Sequence, residues 1–212
     1  MRVVKTAEER KNEILDVAEE LFSSYGFEET STNDIIARIG IARGTLYHHF
    51  QSKEEILDAV IERLTTRIIA KAAVIIHDKR RPLVDRLVDG ILALNVDSNL
   101  GHEVMAQVHK PQNALLHQKM QEQLISGVVP LLAELFEEGC EVGVFSTPYP
   151  REAAEMIIVY SNIAFDELNL LEAEAQKNRI QGFIFHTQRI LGVNDNSLEE
   201  AILKIFAKNL GQ

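Results

Sequence analysis

At 212 residues the chain can form one large or two small domains, and its 46% hydrophobic and 25% charged content is ordinary for a soluble globular protein. No stretch approaches the run of about 20 apolar residues that a membrane helix needs, the first ten residues have no apolar signal-peptide core, and the single Cys140 excludes an internal disulfide or a cysteine zinc cluster. A cytoplasmic setting is expected, and the net charge of −10 argues against a protein that coats DNA without regard to sequence.

In chain order, Met1 to Lys5 is either a short arm whose Arg2 and Lys5 reach a groove, or a frayed terminus. Thr6 with Glu9 forms a capping box and opens a helix to Tyr25. Its apolar stripe is Ile14, Leu15, Ala18, Leu21, Phe22 and Tyr25, and Gly26 ends it. A second capping box, Ser31 with Asp34, opens a short helix with Ile35, Ile36 and Ile39 on its buried side. Gly40 supplies the sharp turn, and Arg43, Gly44 and Thr45 open another short helix in which Leu46 and Phe50 point to the core. Ser52 with Glu55 starts a long helix from Lys53 towards His77.

Further helices are expected over 83–96, 102–110, 112–138, 151–171 and 173–191, with a last one from a Ser197/Glu200 capping box to Leu210. Pro130 predicts a kink or a lost hydrogen bond in the longest of these, and 139–150, with two Gly and two Pro, reads as a loop. No strand pattern or repeat stands out. The expected class is all-α, and two short helices around Gly40 have the layout of a helix-turn-helix, whose second helix offers its N-terminal residues to base edges in the major groove.

The run ARGTLYHHFQSKEEIL, preceded by IIARIGI and an amphipathic first helix, resembles the DNA-binding domain of TetR-family transcriptional regulators over roughly the first quarter of the chain. The chain departs from the family pattern at Ala42, where Ser or Thr usually caps the recognition helix; the missing cap costs about 1 kcal/mol. The resemblance implies a three-helix helix-turn-helix domain over 1–52 and a helical effector-binding and dimerisation domain over 53–212. It implies a homodimer whose last two long helices pair across a two-fold axis. It also implies a palindromic operator as double-stranded DNA partner and release by a small-molecule effector that swings the long linking helix.

Within the motif, Arg43 is the candidate base reader, because arginine bridges guanine O6 and N7. Gly44 permits close backbone approach, and Thr45 suits a thymine methyl or a phosphate. Tyr47, His48 and Lys53 are expected at phosphates, with Ser31 and Thr32 adding contacts at the N-terminus of the preceding helix. Residues 1–53 carry seven Lys and Arg against nine acids, a net −2, so the acids of the first helix need to face away from DNA.

For a ligand, His102, Met105 and His109 share one helix face, and His117 and Met120 are near in sequence. No metal is expected there, because the pairs lack the i, i+4 histidine spacing and a completing carboxylate or thiolate. The histidines line a cavity, cap a helix or face solvent. Tyr160, Asn162, Phe165 and Asp166 put polar groups into an apolar helix and either orient a ligand or meet a second subunit. No catalytic constellation or phosphate loop is present, so neither an enzyme nor a cofactor is expected. A competing reading is a helical protein-interaction module whose helix-turn-helix is only structural, which the acidic balance favours.

Overall fold

The computed structural model describes residues 5–94, 114–165, 168, 171–193, 195–196 and 198–203, with side chains omitted for 114–117. The expected helix at 102–110, Arg2 of the arm, the Ser197 cap and the segment from Lys204 onwards fall outside these residues. Among the described residues there is no strand. They form α1 (Ala7–Tyr25), α2 (Thr32–Ile39), α3 (Arg43–His49), α4 (Lys53–Ile76), α5 (Leu83–Leu92), α6 (Ala114–Glu141), α7 (Pro150–Phe165) and α8 (Ala173–Leu191), followed by a helical stretch at 198–203. The chain divides into two compact units, Met1–Arg67 with Val96–Met120, and Ile68–Asn95 with Gln121–Gln212.

In the first unit, short-range chemistry sets the helix ends. Thr6 Oγ1 accepts from the Glu9 N–H at 3.2 Å, and the Glu9 carboxylate accepts from the Thr6 N–H at 2.7 Å. Ser31 and Asp34 repeat the exchange at α2. Gly40 sits at φ +74°, where a side chain would be strained, and its N–H closes on the Ile36 carbonyl at 2.9 Å. Behind these ends Ile14, Phe22, Ile35, Leu46, Phe50 and Ile56 are almost wholly buried. At α4 the pattern shifts by one residue: the Ser52 hydroxyl accepts from the Glu55 N–H at 3.1 Å, but the Glu55 carboxylate reaches back to the Gln51 N–H at 2.5 Å.

The acids of α1 are neutralised from within. Glu13 pairs with Lys5 and Arg10, and Glu20 pairs with Arg38. Glu19 is buried and takes Arg63 at 2.5 Å and Arg67 at 2.7 Å, while Arg63 also reaches Asp16 at 2.7 Å. The local acidity that seemed to oppose DNA therefore serves to bolt α1 to α4 and α2.

In the second unit the larger apolar cluster joins Ala72 and Ile76 of α4, Leu87 of α5, Leu132 and Phe136 of α6, Ala154 of α7 and Leu191 of α8. Arg86 is buried in it. Its Nε donates to the Ile76 carbonyl at 2.7 Å, an acceptor the end of α4 would otherwise leave unpaired, and its two terminal nitrogens grip the Glu138 carboxylate at 2.6 and 2.9 Å.

Several boundaries differ from expectation. α5 ends at Leu92 with a turn at Ala93 and Leu94. α7 ends at Phe165 instead of running to 171. α6 continues through Pro130, whose ring removes one ladder donor without ending the helix, and it runs to Glu141. Gly139 is thus helical and does not begin the loop. Its lack of a Cβ has a different cause: Phe145 folds back so closely that a Cβ would lie 2.2 Å from the ring. Gly139→Ala is expected to cost about 2 kcal/mol by displacing that ring from the Phe136 edge, a loss readable as a lower urea midpoint at unchanged m-value.

Candidate nucleic-acid interface and ligand cavity

Ala42 precedes α3 with no side-chain cap, so the Arg43 and Gly44 N–H groups stay open to an external acceptor, while the Thr45 N–H donates to the Ala42 carbonyl at 2.9 Å. Arg43 and Gly44 are exposed, and Thr45 is half-buried. The Arg43 guanidinium lies 5.4 Å from the centre of the Tyr47 ring, one turn on. The Tyr47 hydroxyl is 3.4 Å from Thr32 Oγ1 at the start of α2. The Thr32 contact, then Arg43, lowers the Tyr47 phenol from its ordinary value. Arg43, Tyr47 and Thr32 therefore form one connected surface across α2 and α3.

The other expected contacts divide. His48 is exposed. His49 is half-buried, edge-on to His48 at 5.2 Å, and held below the usual imidazole value by burial and then by His48, Arg10 and Lys11. The shift favours its neutral form. The Ser31 hydroxyl is engaged with Asp34, at 2.6 Å from the carboxylate. Lys53 lies 4.2 Å from the Phe27 ring centre, and its ammonium donates to the Phe27 carbonyl at 2.8 Å and the Glu28 carbonyl at 3.4 Å. That leaves at most one donor for a phosphate. Lys53→Met is expected to lower stability by about 1.5 kcal/mol, because a charge-assisted bond inside the domain is lost; a residue acting only on phosphate would leave the urea midpoint where it was.

The second unit holds a cavity of about 280 Å³ bounded by α5, α6, α7, α8 and the 198–203 stretch. Asn162 and Phe165 line it. Tyr160 does not: it is half exposed and stacks on Phe183 at 6.0 Å. Met120 is buried in the first unit. His102, Met105, His109 and Asp166 lie outside the described residues, as does the side chain of His117. Sequence reasoning passed over Ser161 and Thr187, which also line the cavity. The available signal for Thr187 was its register: Ile180, Ile184, Thr187 and Leu191 form the buried stripe of α8, and a hydroxyl there interrupts an apolar series.

Comparison with known proteins agrees with this arrangement. Residues 14–60 match the profile of bacterial regulatory proteins of the tetR family, and residues 95–184 match that of the tetracyclin repressor-like C-terminal domain. The HTH-type transcriptional repressor KstR2 of Mycobacterium tuberculosis is 29% identical over 111 residues, 52% of this chain and 54% of its own. The HTH-type transcriptional regulator UidR of Escherichia coli is 33% identical over 120 residues, 52% of this chain and 58% of its own. The chain thus spans little more than half the length of these curated relatives. A TetR-family transcriptional regulator from Pectobacterium atrosepticum shares the fold with a TM-score of 0.64 at 22% identity, covering 90% of this chain and 96% of its own. Salmonella enterica GusR follows at 0.54 and 23%, covering 87% and 96%. Two matching profiles, one for the helix-turn-helix and one for the helical domain after it, and an all-α fold shared with these structures lead to one assignment: the chain belongs to the TetR family of bacterial regulatory proteins.

Proposed function

We propose that this protein is a cytoplasmic, homodimeric transcriptional regulator that represses by occupying a palindromic DNA operator and lets go when a small molecule binds its second unit. The carrying observation is the Arg43–Tyr47–Thr32 surface at the open N-terminus of α3. Arg43 would read a base, Gly44 and Thr45 would approach the groove, and Tyr47, His48, Thr32, Ser31 and the remaining Lys53 donor would hold phosphates. Residues 1–52 would serve as the DNA-binding domain and 53–212 as the effector-binding and dimerisation domain.

The homodimer has its own support. Met156, Tyr160 and Ile163 of α7 are 50% to 74% exposed at i, i+4, i+7 spacing, and Phe185 of α8 is 53% exposed. An apolar helical face of this kind suits a second copy of the chain. Two reading helices would then address half-sites about 34–36 Å apart. The effector must bind the DNA-released conformer more tightly, since equal affinity shifts nothing. The relatives are named as regulators, which supports a binding protein over an enzyme.

A DNase footprint on the DNA flanking the protein's own gene tests the reading. A protected palindrome is expected. Absence of protection would favour the protein-interaction module, for which the exposed α7 face is the specific observation.

A further inference from the structure

The cavity of the second unit differs from its surroundings in the chemistry of its wall. Among the described residues lining it none is ionisable, and only Ser161, Asn162 and Thr187 are polar. Arg86, next in sequence to the lining residue Leu87, is not itself among the described lining residues; its Nε donates to Ile76 and both terminal nitrogens are held by Glu138. Three of its five N–H donors are thereby engaged inside the protein.

The three polar groups are not equivalent. The Ser161 hydroxyl donates to the Ile158 carbonyl at 2.9 Å and has only acceptor capacity left. The Thr187 side chain is 5% exposed and has no hydrogen-bond partner among the described residues. That is unusual for a helical threonine: Thr65 and Thr66 both donate to the carbonyl four residues back. The Asn162 amide likewise has no partner among the described residues and offers donors and an acceptor. Polar groups of a cavity wall that have no partner among the described residues are free to pair with a molecule that arrives from solution.

Resting on the reading of this unit as effector-binding, we infer that the cavity takes an uncharged, mainly apolar molecule whose single hydroxyl or primary amide is recognised by Asn162 and Thr187. A carboxylate or ammonium would be desolvated with no countercharge among the described lining residues. A hydrocarbon would leave both side chains unpaired. At about 280 Å³ the space suits a small ligand, just below the usual range of about 300–1,000 Å³.

Displacement of the neutral fluorophore N-phenyl-1-naphthylamine from the full-length protein, without DNA, tests the inference. The competitors are 1-octanol, octanamide, octanoate, octylammonium and 1-chlorooctane at pH 7. The alcohol and the amide are expected to displace the dye, with octanoate and octylammonium roughly 100-fold weaker. Thr187→Val, which keeps shape, and Asn162→Leu are each expected to weaken 1-octanol about 5- to 10-fold and to leave 1-chlorooctane unchanged. Equal or stronger displacement by either ion, no displacement by either neutral polar probe, or unchanged 1-octanol binding in both variants would overturn it. Because the assay contains no DNA, an unprotected footprint sinks the regulator reading alone, and a preference for octanoate sinks this inference alone.

Discussion

Glu138→Leu is expected to lower the unfolding free energy by about 3 kcal/mol. The guanidinium it abandons is the reason. Arg86 is 2% exposed and spends both terminal nitrogens on this carboxylate. Losing a fully buried partner costs about 3–5 kcal/mol, and the lower end applies because the Glu138 side chain is 24% exposed. Replacing both partners, as in Arg86→Met with Glu138→Leu, is expected to recover about half of the loss. The desolvated charge is then gone, but the Ile76 carbonyl at the end of α4 still lacks its donor. Urea unfolding of the two single variants and the double variant measures the coupling.

The same pair gives an acid dependence with a definite sign. Arg86 first, and then Lys79, hold the Glu138 carboxyl below its ordinary value of 4.5. A group depressed in the folded state contributes stability that is fully present above its unfolded value. That contribution is lost as pH falls from 4.5 through the lower folded value. Wild-type stability is therefore expected to fall below pH 4.5 more steeply than that of the double variant.

Features decided within four residues were legible in the sequence. The Thr6/Glu9 and Ser31/Asp34 boxes, the left-handed Gly40, the uncapped Ala42 and the span of α8 up to Gly192 stand where local spacing puts them. Features decided by an approach across tens of residues were not. Gly139 looks like a loop opener until Phe145 is seen against it, and Lys53 looks like a free cation until the Phe27 carbonyl is seen beneath it. Arg86 carries no local sign that it will close the end of α4. The cavity is the extreme case. Its wall is assembled from four helices and the 198–203 stretch, and its polar groups matter only because nothing among the described residues pairs with Asn162 or Thr187. The acidic N-terminal balance was misleading for the same reason: a count of charges does not reveal that Glu19 already holds Arg63 and Arg67.

On operator DNA, Arg43→Ala is expected to cost about 1–3 kcal/mol per half-site, and roughly twice that for a dimer on a palindrome, with relaxed discrimination at one base pair in each half. The geometry explains why this residue and not a neighbour. α3 is two turns long, its first N–H groups are uncapped, and Arg43 is held over the Tyr47 ring instead of being paired to a carboxylate. With no carboxylate among the described residues engaging it, the guanidinium fork can still donate two parallel hydrogen bonds to a base. Arg43→Lys separates charge from shape: it preserves the phosphate attraction and the salt slope but loses the fork, so base preference should fall while binding to random DNA persists. Tyr47→Phe keeps the stack and removes the hydroxyl shared with Thr32, so it should weaken all sequences alike. A gel-shift series over single-base operator variants reads all three. Equal losses on operator and random DNA for Arg43→Ala would remove it as a base reader and leave α3 a phosphate-bound helix.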